Sequence, residues 1–525
     1  MIDSAAASAP ASRSDPRRYH EMLDGEGRIR PQWQSLAREL ARATPAQMRQ
    51  RMELVTRTIR ENGVSYNVYA DPKGEDRPWD LDLLPNPIGA EEWQRIATGV
   101  MQRADLLNRV LADLYGPREL LREGLLPAEL IYGHNNYLWP CEGLRPPGDV
   151  HLHLYAADLC RAVDGTWWLM ADRTQAPSGA GYALENRAIL SQAFPDLLHE
   201  LPVRGLAGFF SAHLEAVQSL APVDPGESVL SVLLTPGRFN ETYFEHVYLA
   251  RQLGVPLVEG QDLTVRGGTV FLKTLHGLRR VHAILRRVDD DFCDPLELRG
   301  DSRLGVPGLV DAVRAGRVLV TNALGTGVLE SPGLIGFLPA VSQRLLGQPL
   351  LLPSVATWWC GEPAVCASAL AQLDRLVLKP AFPSQRLEPV FGHTLGAAQL
   401  AELRARISVR PSAYVAQEVL QLSQAPTWRR DAGRLQFPQR AIGMRVYACW
   451  TPQGYRVMPG GLTRVAGQAG ADVISMQRGG GSKDTWVLGG AGDAVAASAT
   501  RPRIGRAGLV RADALLTSRT GENLF

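Results

Sequence analysis

The stretch that decides the fold runs from residue 158 to residue 187 and reads DLCRAVDGTWWLMADRTQAPSGAGYALENR. Residues 150–159, which lead into it, alternate His and Tyr with Leu and Ala, and a turn separates them from a second strand-like run that ends near Asp172. Two antiparallel strands are therefore predicted, with Asp158 and Asp172 close together. Because two carboxylates repel each other, a divalent cation such as Mg²⁺ is the usual reason to hold both ionised. The alternative is that both aspartates merely flank a solvated turn.

Composition favours an enzyme of two or three domains. The chain has 525 residues, and this length exceeds what one hydrophobic core usually holds. Of its residues, 45% are hydrophobic and 21% are charged, as in a globular protein. Its formal charge of +2 provides no basic field for nucleic acid. Six cysteines without a CxxC spacing suit reduced thiols in a cytoplasmic protein. Since no apolar run approaches the roughly 18 residues of a membrane helix, neither nucleic acid nor a membrane is an expected partner.

Working outward from the hairpin, hydrophobic periodicity predicts helices over residues 32–43, 45–61 and 91–115. From about residue 229, short apolar strands alternate with helices and are interrupted by a small hairpin at residues 264–273. This alternation predicts a parallel, Rossmann-like sheet whose ligands lie beyond the carboxyl ends of its strands. Arg287 and Asp290 follow the third of these strands at such an end. At the mouth of the same unit, the further substrate candidates are Asn240, Tyr243, Glu245 and His246, with plain helix-start residues as the alternative.

Later strand-like runs carry further polar residues. Lys379 ends LVLKPAFP, Gln417 and Glu418 lie in YVAQEVL, and Arg440 and Arg445 lie in RAIGMRVYACW. Each of these side chains is a candidate for a site at a strand end, although a lysine there is commonly just exposed.

Three consecutive glycines precede Ser482 and Lys483 in SMQRGGGSKDTWVL. This segment lacks the GxxxxGK pattern of a P-loop but is a candidate for a mobile phosphate or substrate loop, with a plain linker as the alternative. Residues 1–18 and 489–525 are expected to be a disordered leader and tail, since the tail has few large apolar residues.

Eight blocks, taken together, resemble circularly permuted ATP-grasp proteins of the glutathionylspermidine synthase-like type. They are ADRTQAPSGAGYALENR, TPGRFNETYFEHVYLARQLGVPLVEGQDL, RRVDDDFCDP, LPSVATWWCG, LVLKPAFP, VAQEVL, MPGGLTRVA and GGGSKDTWVL, within residues 19–488. The resemblance implies an α/β and α+β fold, namely a circularly permuted ATP-grasp with a Rossmann-like pre-ATP-grasp domain. The implied units are a helical region with the permuted metal-binding half (19–222), the pre-ATP-grasp substrate domain (226–350) and the nucleotide-binding half (351–488).

The resemblance also implies a site for ATP and Mg²⁺. Lys379 would contact the phosphates and Gln417 with Glu418 the adenine, while Arg386 and Arg440 are further nucleotide candidates. Asp158 and Asp172 would hold the metal. Where the family's usual Glu-x-Asn metal strand has its asparagine, this chain has Arg173 or Thr174, so Glu185 or Asn186 is the candidate replacement.

The reaction implied by the resemblance joins a carboxylate to an amine. ATP phosphorylates the carboxylate, and the amine attacks the acyl phosphate to give an amide, so that positioning and charge neutralisation dominate catalysis. Arg445, Arg287 and Lys483 are the catalytic candidates: Arg445 on the transferring group, Arg287 on the substrate carboxylate and Lys483 over the intermediate. Asp290, as a ligand of the amine, and Ser178 join the substrate candidates.

Two other functions fit the same resemblance. One is an ATP-binding scaffold without catalysis that works with a partner such as an alpha-E protein, which is expected to be separate from this chain. The other is an ATP-grasp kinase that stops at phosphorylation. Fold and site do not fix which acid or amine is used.

Overall fold

The computed structural model describes residues 18–67, 77–382, 385, 388–431, 434–468 and 479–489. The predicted leader and tail therefore lie outside the described residues apart from residues 18 and 489, and so does Arg386.

The described chain contains both helices and strands, with an uninterrupted run of strands from residue 414 to residue 487. Its α-helices, α1 to α13 in chain order, span Gln34–Arg42, Pro45–Glu61, Ala90–Leu114, Glu119–Arg122, Ala128–Tyr132, Ala180–Ala193, Pro195–Glu200, Ala207–Leu220, Tyr243–Leu253, Leu309–Arg314, Leu338–Leu346, Pro363–Ala371 and Ala397–Val409. Its β-strands, β1 to β20, span Asn86–Ile88, Leu154–Arg161, Trp167–Arg173, Ser231–Leu234, Leu257–Val258, Leu263–Arg266, Thr269–Thr274, Gly277–Arg280, Ala283–Arg286, Leu319–Thr321, Thr357–Trp359, Leu376–Pro380, Val390–Phe391, Tyr414–Glu418, Gln424–Pro426, Arg429–Asp431, Arg434–Gln436, Gln439–Thr451, Gly454–Val465 and Gly481–Val487.

The three helices predicted from periodicity are confirmed as α1, α2 and α3. Thr44 and Gln47 form a reciprocal capping box at the start of α2, and Pro45 occupies its first turn, where a missing N–H costs nothing. Helix α3 buries an apolar stripe from Trp93 to Leu114. Among the described residues, no helix combines the length and apolarity needed to cross a bilayer.

The largest sheet has the strand order β1-β20-β19-β18-β2-β3, with β15 also paired to β18. Its neighbours are antiparallel except β1 and β20. Helix α3 packs against one face of this sheet and α6 against the other. The predicted β2–β3 hairpin thus lies at one side of a broad sheet covered on both faces.

A second sheet has the order β10-β9-β4-β5 and is parallel throughout, which confirms the Rossmann-like arrangement. The small predicted hairpin forms β6 and β7, to which β8 adds a third strand. A third, antiparallel sheet has the order β11-β14-β12-β13 and encloses its own small core with α12 and α13.

The strands divide the range predicted as one nucleotide-binding half, residues 351–488. Strands β11 to β14 form the small third sheet, whereas β18, β19 and β20 complete the large sheet with β2 and β3. The cause is long-range pairing, since β18 lies directly beside β2 although far from it in sequence. Residues from both ends of the chain therefore share one sheet face.

Candidate functional site

The two hairpin aspartates lie on opposite faces of the large sheet. Asp158 pairs with Ala171 and Asp172 with Ala157, and directly opposed residues in an antiparallel pair point to the same face. The expectation that both carboxylates share one metal is therefore wrong, because side chains alternate along a strand and the two aspartates are one register step apart.

Asp172 is enclosed in the core beneath α3. Arg103 binds it in a bidentate manner, with Nε to Oδ1 and Nη2 to Oδ2 both 2.7 Å, and the Tyr155 hydroxyl donates to Oδ1 at 2.6 Å. Arg103 also donates to Ser354 Oγ at 3.0 Å. One carboxylate thus meets one guanidinium in a buried, satisfied pair, which is a structural arrangement.

Asp158 faces three arginines on the other side of the sheet. Arg445 donates from Nε to Oδ1 at 2.7 Å and from Nη2 to Oδ2 at 3.0 Å. Arg464 Nη2 lies 3.0 Å from Oδ1, and Arg173 Nε lies 3.1 Å from Oδ2. Burial alone would raise the pKa of Asp158, but Arg445, Arg464 and Arg173 hold it well below its usual range. We call these four residues the arginine cluster.

Lys379 extends toward the arginine cluster from the small sheet. Burial, followed by the positive charge of Arg173, lowers the pKa of its ammonium to about 8, while Asp158 acts in the opposite direction. Lys379 donates to Gln417 Oε1, and Gln417 Nε2 donates to Thr357 Oγ1 at 2.9 Å. The predicted lysine and glutamine therefore lie side by side on one sheet face and border the cluster.

An apolar patch adjoins the arginine cluster along the same strands. Cys160 follows Asp158 by two residues on β2, and Ala441 precedes Arg445 by four on β18, so both point to the cluster's face. They pack with Val355, Leu422 and Ala466 in one buried group. Cations next to an apolar surface suit a ligand with an anionic end and an apolar end.

Glu185 and Asn186 do not approach either hairpin aspartate. Glu185 accepts a 2.6 Å bond from Asn62 Nδ2, and Asn186 accepts from Trp79 Nε1 at 2.8 Å while donating to Ser482 Oγ at 3.2 Å. The predicted metal residues are therefore separated, because α6 directs this pair toward α2 and β20.

Glu245 caps the start of α6. It accepts hydrogen bonds from the backbone N–H of Gly179 at 2.7 Å and of Gly181 at 2.8 Å, and Arg287 Nη2 lies 3.4 Å away. Burial raises the pKa of Glu245 despite Arg287. Gly179 has a φ of 109°, and a Cβ there would lie 2.2 Å from the hydroxyl of Tyr447. Glu245 therefore positions the loop that carries Ser178 rather than facing an open site.

Asp290 is also occupied by the protein itself. Its Oδ1 accepts from Gln175 Nε2 at 2.6 Å, and its Oδ2 accepts the backbone N–H of Gly325 and of Gly327, both at 3.1 Å. The predicted contact of Asp290 with a substrate amine is corrected accordingly, because this fully buried carboxylate organises the glycine loop after β10.

Arg287 and His246 are likewise held within the protein. Arg287 Nη1 donates to the carbonyl of Pro177 at 3.0 Å. The imidazole of His246 hydrogen-bonds the hydroxyls of Thr235 and Thr242 at 2.9 and 3.2 Å, and burial lowers its pKa.

Lys483 lies inside strand β20 and not on a glycine loop. It pairs with Thr463 and therefore points away from the face of Arg464. Its ammonium donates to the carbonyls of Leu84 and Pro426 at 3.0 and 2.8 Å and lies 3.2 Å from Asp82. The prediction that Lys483 closes over an intermediate is wrong for this geometry, because the strand begins at Gly481 and buries the side chain completely.

The remaining predicted residues divide between the cluster and its surroundings. The carbonyl of Ser178 accepts from Arg445 Nη1 and from the Tyr447 hydroxyl, both at 3.0 Å. Arg440 donates to the carbonyls of Ala466 and Gly467, and Glu418 is exposed on the face of β14 opposite Gln417.

A cavity of about 760 Å³ lies where the end of α2 meets α6 and α9, and Asn240 and Tyr243 line it together with Glu185. Tyr248, also in the lining, hydrogen-bonds Glu185, and burial together with this carboxylate raises the pKa of Tyr248. The predicted substrate residues Asn240 and Tyr243 thus border an open space, unlike Glu245 and His246.

Sequence reasoning did not single out Arg464, Arg103 or Glu330. Arg464 lies in the block MPGGLTRVA but has no local signal, because only the pairing of β19 with β18 brings it to Asp158. Arg103 interrupts the apolar stripe of α3, and a charge inside such a stripe is a detectable sign of a buried partner.

The fold and this cluster of cations agree with what the chain is similar to. A sequence model of the family circularly permuted ATP-grasp type 2 matches residues 85–466. The chain belongs to this family.

Individual proteins are similar to this chain in sequence or in fold. An uncharacterised protein of Mycobacterium tuberculosis is 40% identical over 479 residues, covering 89% of this chain and 53% of that protein. One of Synechocystis is 38% identical over 472 residues, covering 90% and 97%. The solved structure of a glutathione synthetase-like effector from Globodera pallida has a TM-score of 0.55 at 12% identity, covering 85% of this chain and 98% of that one, and shows the same fold. The chain spans about half the length of the mycobacterial relative.

ATP-grasp proteins generally bind ATP with Mg²⁺, and the residues present here do not fit the ion. Both oxygens of Asp158 accept guanidinium N–H groups, and Asp172 is sealed against Arg103 on the opposite face. In the part of the chain that the structure describes, no group of three or more His, Cys, Asp or Glu side chains is close enough to hold a metal ion.

Proposed function

We propose that the protein is an ATP-dependent carboxylate–amine ligase that forms an amide through an acyl phosphate. The observation that carries this proposal is the arginine cluster with Lys379 beside it, next to an apolar patch, in a member of the ATP-grasp family.

The arginine cluster together with Lys379 and Glu330 holds more positive charge than its carboxylates balance. Arg173, Arg445, Arg464 and Lys379 supply four cations, and Asp158 and Glu330 supply two carboxylates, so two positive charges remain. Uncompensated charge away from water costs several kcal/mol per ion, and a polyanion that binds there removes that cost. The pKa of Lys379 is lowered mainly by burial and then by the charge of Arg173.

A nucleotide on this sheet face would place its adenine at the apolar patch, where it would displace the partly buried side chains of Trp168, Met170 and Leu420 that pack on the buried group. Cys160 lies about 7 Å beyond Asp158 along β2. An adenine over this apolar patch would leave its triphosphate on the guanidinium groups, which bind phosphate in a planar, bidentate manner. Gln417, which Lys379 already contacts, provides polar groups at the boundary.

Charge neutralisation is the main catalytic task in phosphoryl transfer, and these residues supply it. Arg445 is fixed by Asp158 and by the carbonyl of Ser178, so it is pre-oriented toward the loop between β3 and α6. Arg445 would stabilise charge on the transferring group, with Lys379 on the adjoining phosphate.

The acid and amine would enter by the cavity between α2, α6 and α9. Tyr66 donates to Glu241 at the cavity wall, and the charge of Arg445 opposes the rise in the pKa of Tyr66 that burial causes, so Arg445 acts electrostatically on this wall. The cavity's polar lining of Asn240, Glu185 and Tyr243 suits a substrate with several hydrogen-bonding groups, such as an amino acid or a peptide.

The test is ADP release from ATP with a pooled set of amino acids, peptides and polyamines. The wild type is expected to release ADP in an amine-dependent reaction, and Arg445→Met to lose it. Arg344→Ala, which removes an exposed arginine paired with Glu119 and Glu123, is the matched control. ADP release that is independent of any amine, or that survives in Arg445→Met, contradicts the ligase.

One observation favours a second candidate, an ATP-binding scaffold that works with a partner such as an alpha-E protein. The region where an asparagine metal ligand is expected holds Arg173 and Thr174 instead, and the predicted metal residues are dispersed. ATP binding without turnover in the whole pool would support this scaffold instead of the ligase.

A further inference from the structure

We propose that this site binds the phosphates of a nucleoside triphosphate directly on guanidinium groups, with Arg173 in the place where ATP-grasp proteins hold a divalent cation. The proposal rests on the nucleotide site of the proposed function and concerns the form of ligand that the site takes: the metal-free polyphosphate.

The register of the β2–β3 hairpin sets which β3 residues share the face of Asp158. Asp158 faces Ala171 on β3, and the next β3 residue on the same face is Arg173, which pairs with Ala156. On β3, a second oxygen ligand for a metal at Asp158 would have to come from these two positions. Alanine has no donor atom and arginine is a cation, and because backbone pairing sets the positions, no rotamer change supplies a ligand.

Asp158 itself has no oxygen to spare. Its Oδ1 accepts from Arg445 at 2.7 Å and lies 3.0 Å from Arg464, and its Oδ2 accepts from Arg445 at 3.0 Å and Arg173 at 3.1 Å. A metal ion here would have to displace at least one guanidinium and would then remain beside the other positive charges. The Coulomb cost of that arrangement opposes metal binding.

The neighbouring carboxylate, Glu330, is also committed. Its Oε1 accepts the backbone N–H groups of Thr174 and Gln175, both at 2.8 Å, and its Oε2 lies 3.6 Å from Arg173. Glu330 thus holds the end of β3 in place and draws Arg173 toward the cluster.

Arg173 remains accessible to a ligand although Asp158 and Glu330 pair with it. Its side chain retains 37% exposure, against 4% for Asp158 and 12% for Arg445. Arg445 is therefore the more enclosed of the two, whereas Arg173 borders solvent, and a guanidinium there can bind two phosphate oxygens at once. Arg173 would then supply the charge that a bridging metal provides elsewhere.

The experiment is calorimetric titration of ATP into the full chain in excess EDTA and, separately, in excess Mg²⁺. The expected result is binding in EDTA that is within about threefold of, or tighter than, binding in Mg²⁺. Binding that weakens by more than about tenfold in EDTA overturns this proposal and leaves the ATP site intact. Absence of binding in both media overturns the nucleotide site itself and this proposal with it.

Variants separate the role of Arg173 from a general effect of charge. Arg173→Gln is expected to lose about tenfold or more in EDTA, as fits the loss of one charge-assisted contact, while Arg344→Gln is unchanged. Arg173→Asp, which places a carboxylate on the face of Asp158, is expected to bind ATP only when Mg²⁺ is present. Unchanged affinity of Arg173→Gln in EDTA contradicts the proposal. Because Arg173 is partly exposed, an unfolding temperature equal to that of the wild type is expected for Arg173→Gln.

Discussion

Asp158 and Asp172 belong to one hairpin, yet their surroundings differ in charge and in access. Asp172 meets a single arginine beneath α3, and the pair is neutral, bidentate and completely buried. Asp158 meets three arginines, with Lys379 nearby, on a face where Arg173 still contacts solvent. The comparison teaches that a carboxylate matched by one cation stabilises the fold, whereas one outnumbered by cations marks a site for an anionic ligand.

The largest expected effect is a loss of stability when the buried Arg103–Asp172 pair is broken. Arg103→Met leaves Asp172 buried without its cation, which costs about 3–5 kcal/mol of the free energy of unfolding. Chemical denaturation measures this loss, and Arg344→Ala, which removes only exposed pairs, is expected to cost less than about 1 kcal/mol. A loss for Arg103→Met as small as that of the control would break the contrast between the two faces.

On the Asp158 side the effect should appear in catalysis. Arg445→Met is expected to lower the turnover number for ADP formation by about 10²–10³-fold, since it removes one pre-oriented charge from the transferring phosphoryl group. Steady-state kinetics on the same preparations checks this. A change confined to the free energy of unfolding would mean that Arg445 is as structural as Arg103.

Lys379 should affect binding more than turnover. Lys379→Met removes one charge-assisted contact to phosphate, so nucleotide affinity is expected to fall by about tenfold. The comparison is sharpest when the dissociation constant and turnover are measured together. A loss of turnover at unchanged affinity would contradict a phosphate contact.

The smallest predicted effect is a pH dependence. Because the pKa of Lys379 in the free protein is lowered to about 8, its ammonium is charged below that pH and loses its proton as the pH rises through it. Phosphate binding favours the charged form, so affinity is expected to be constant below about pH 8 and to fall above it, by at most about tenfold per pH unit. Titrations across this range should show the fall in the wild type. If the affinity of Lys379→Met falls over the same pH range, the pH dependence belongs to another group.

Periodicity along the chain was sufficient for the elements but not for the site. It predicted α2, α3, the β2–β3 hairpin and the parallel sheet, because each depends on local alternation. It did not predict which face each aspartate occupies, because the register of the β2–β3 pair shifts between Asp158 and Leu159, as at a β-bulge. Counting residues across such a bulge gives the wrong register.

The partners of both aspartates depend on long-range pairing. Arg103 reaches Asp172 from α3, and Arg464 reaches Asp158 only because β19 lies beside β18. Strand pairing also explains the position of Lys483. The glycines before it suggested a mobile loop, but β20 pairs with β19 and buries Lys483 against Asp82. The family resemblance singled out Lys379 for the phosphates and Gln417 for the adenine, and in the structure these two side chains lie side by side. The resemblance also implied a metal site where this chain has arginines.

The most direct test of the Asp158 face as a phosphate site is ATP titration into the wild type and Arg464→Met. Arg464 has no predicted part in folding beyond its contact with Asp158, whose other two arginines remain in this variant. The expected result is binding by the wild type and about tenfold weaker binding by Arg464→Met at an equal unfolding temperature. Equal affinity in the two proteins would contradict the assignment of the phosphates to this face.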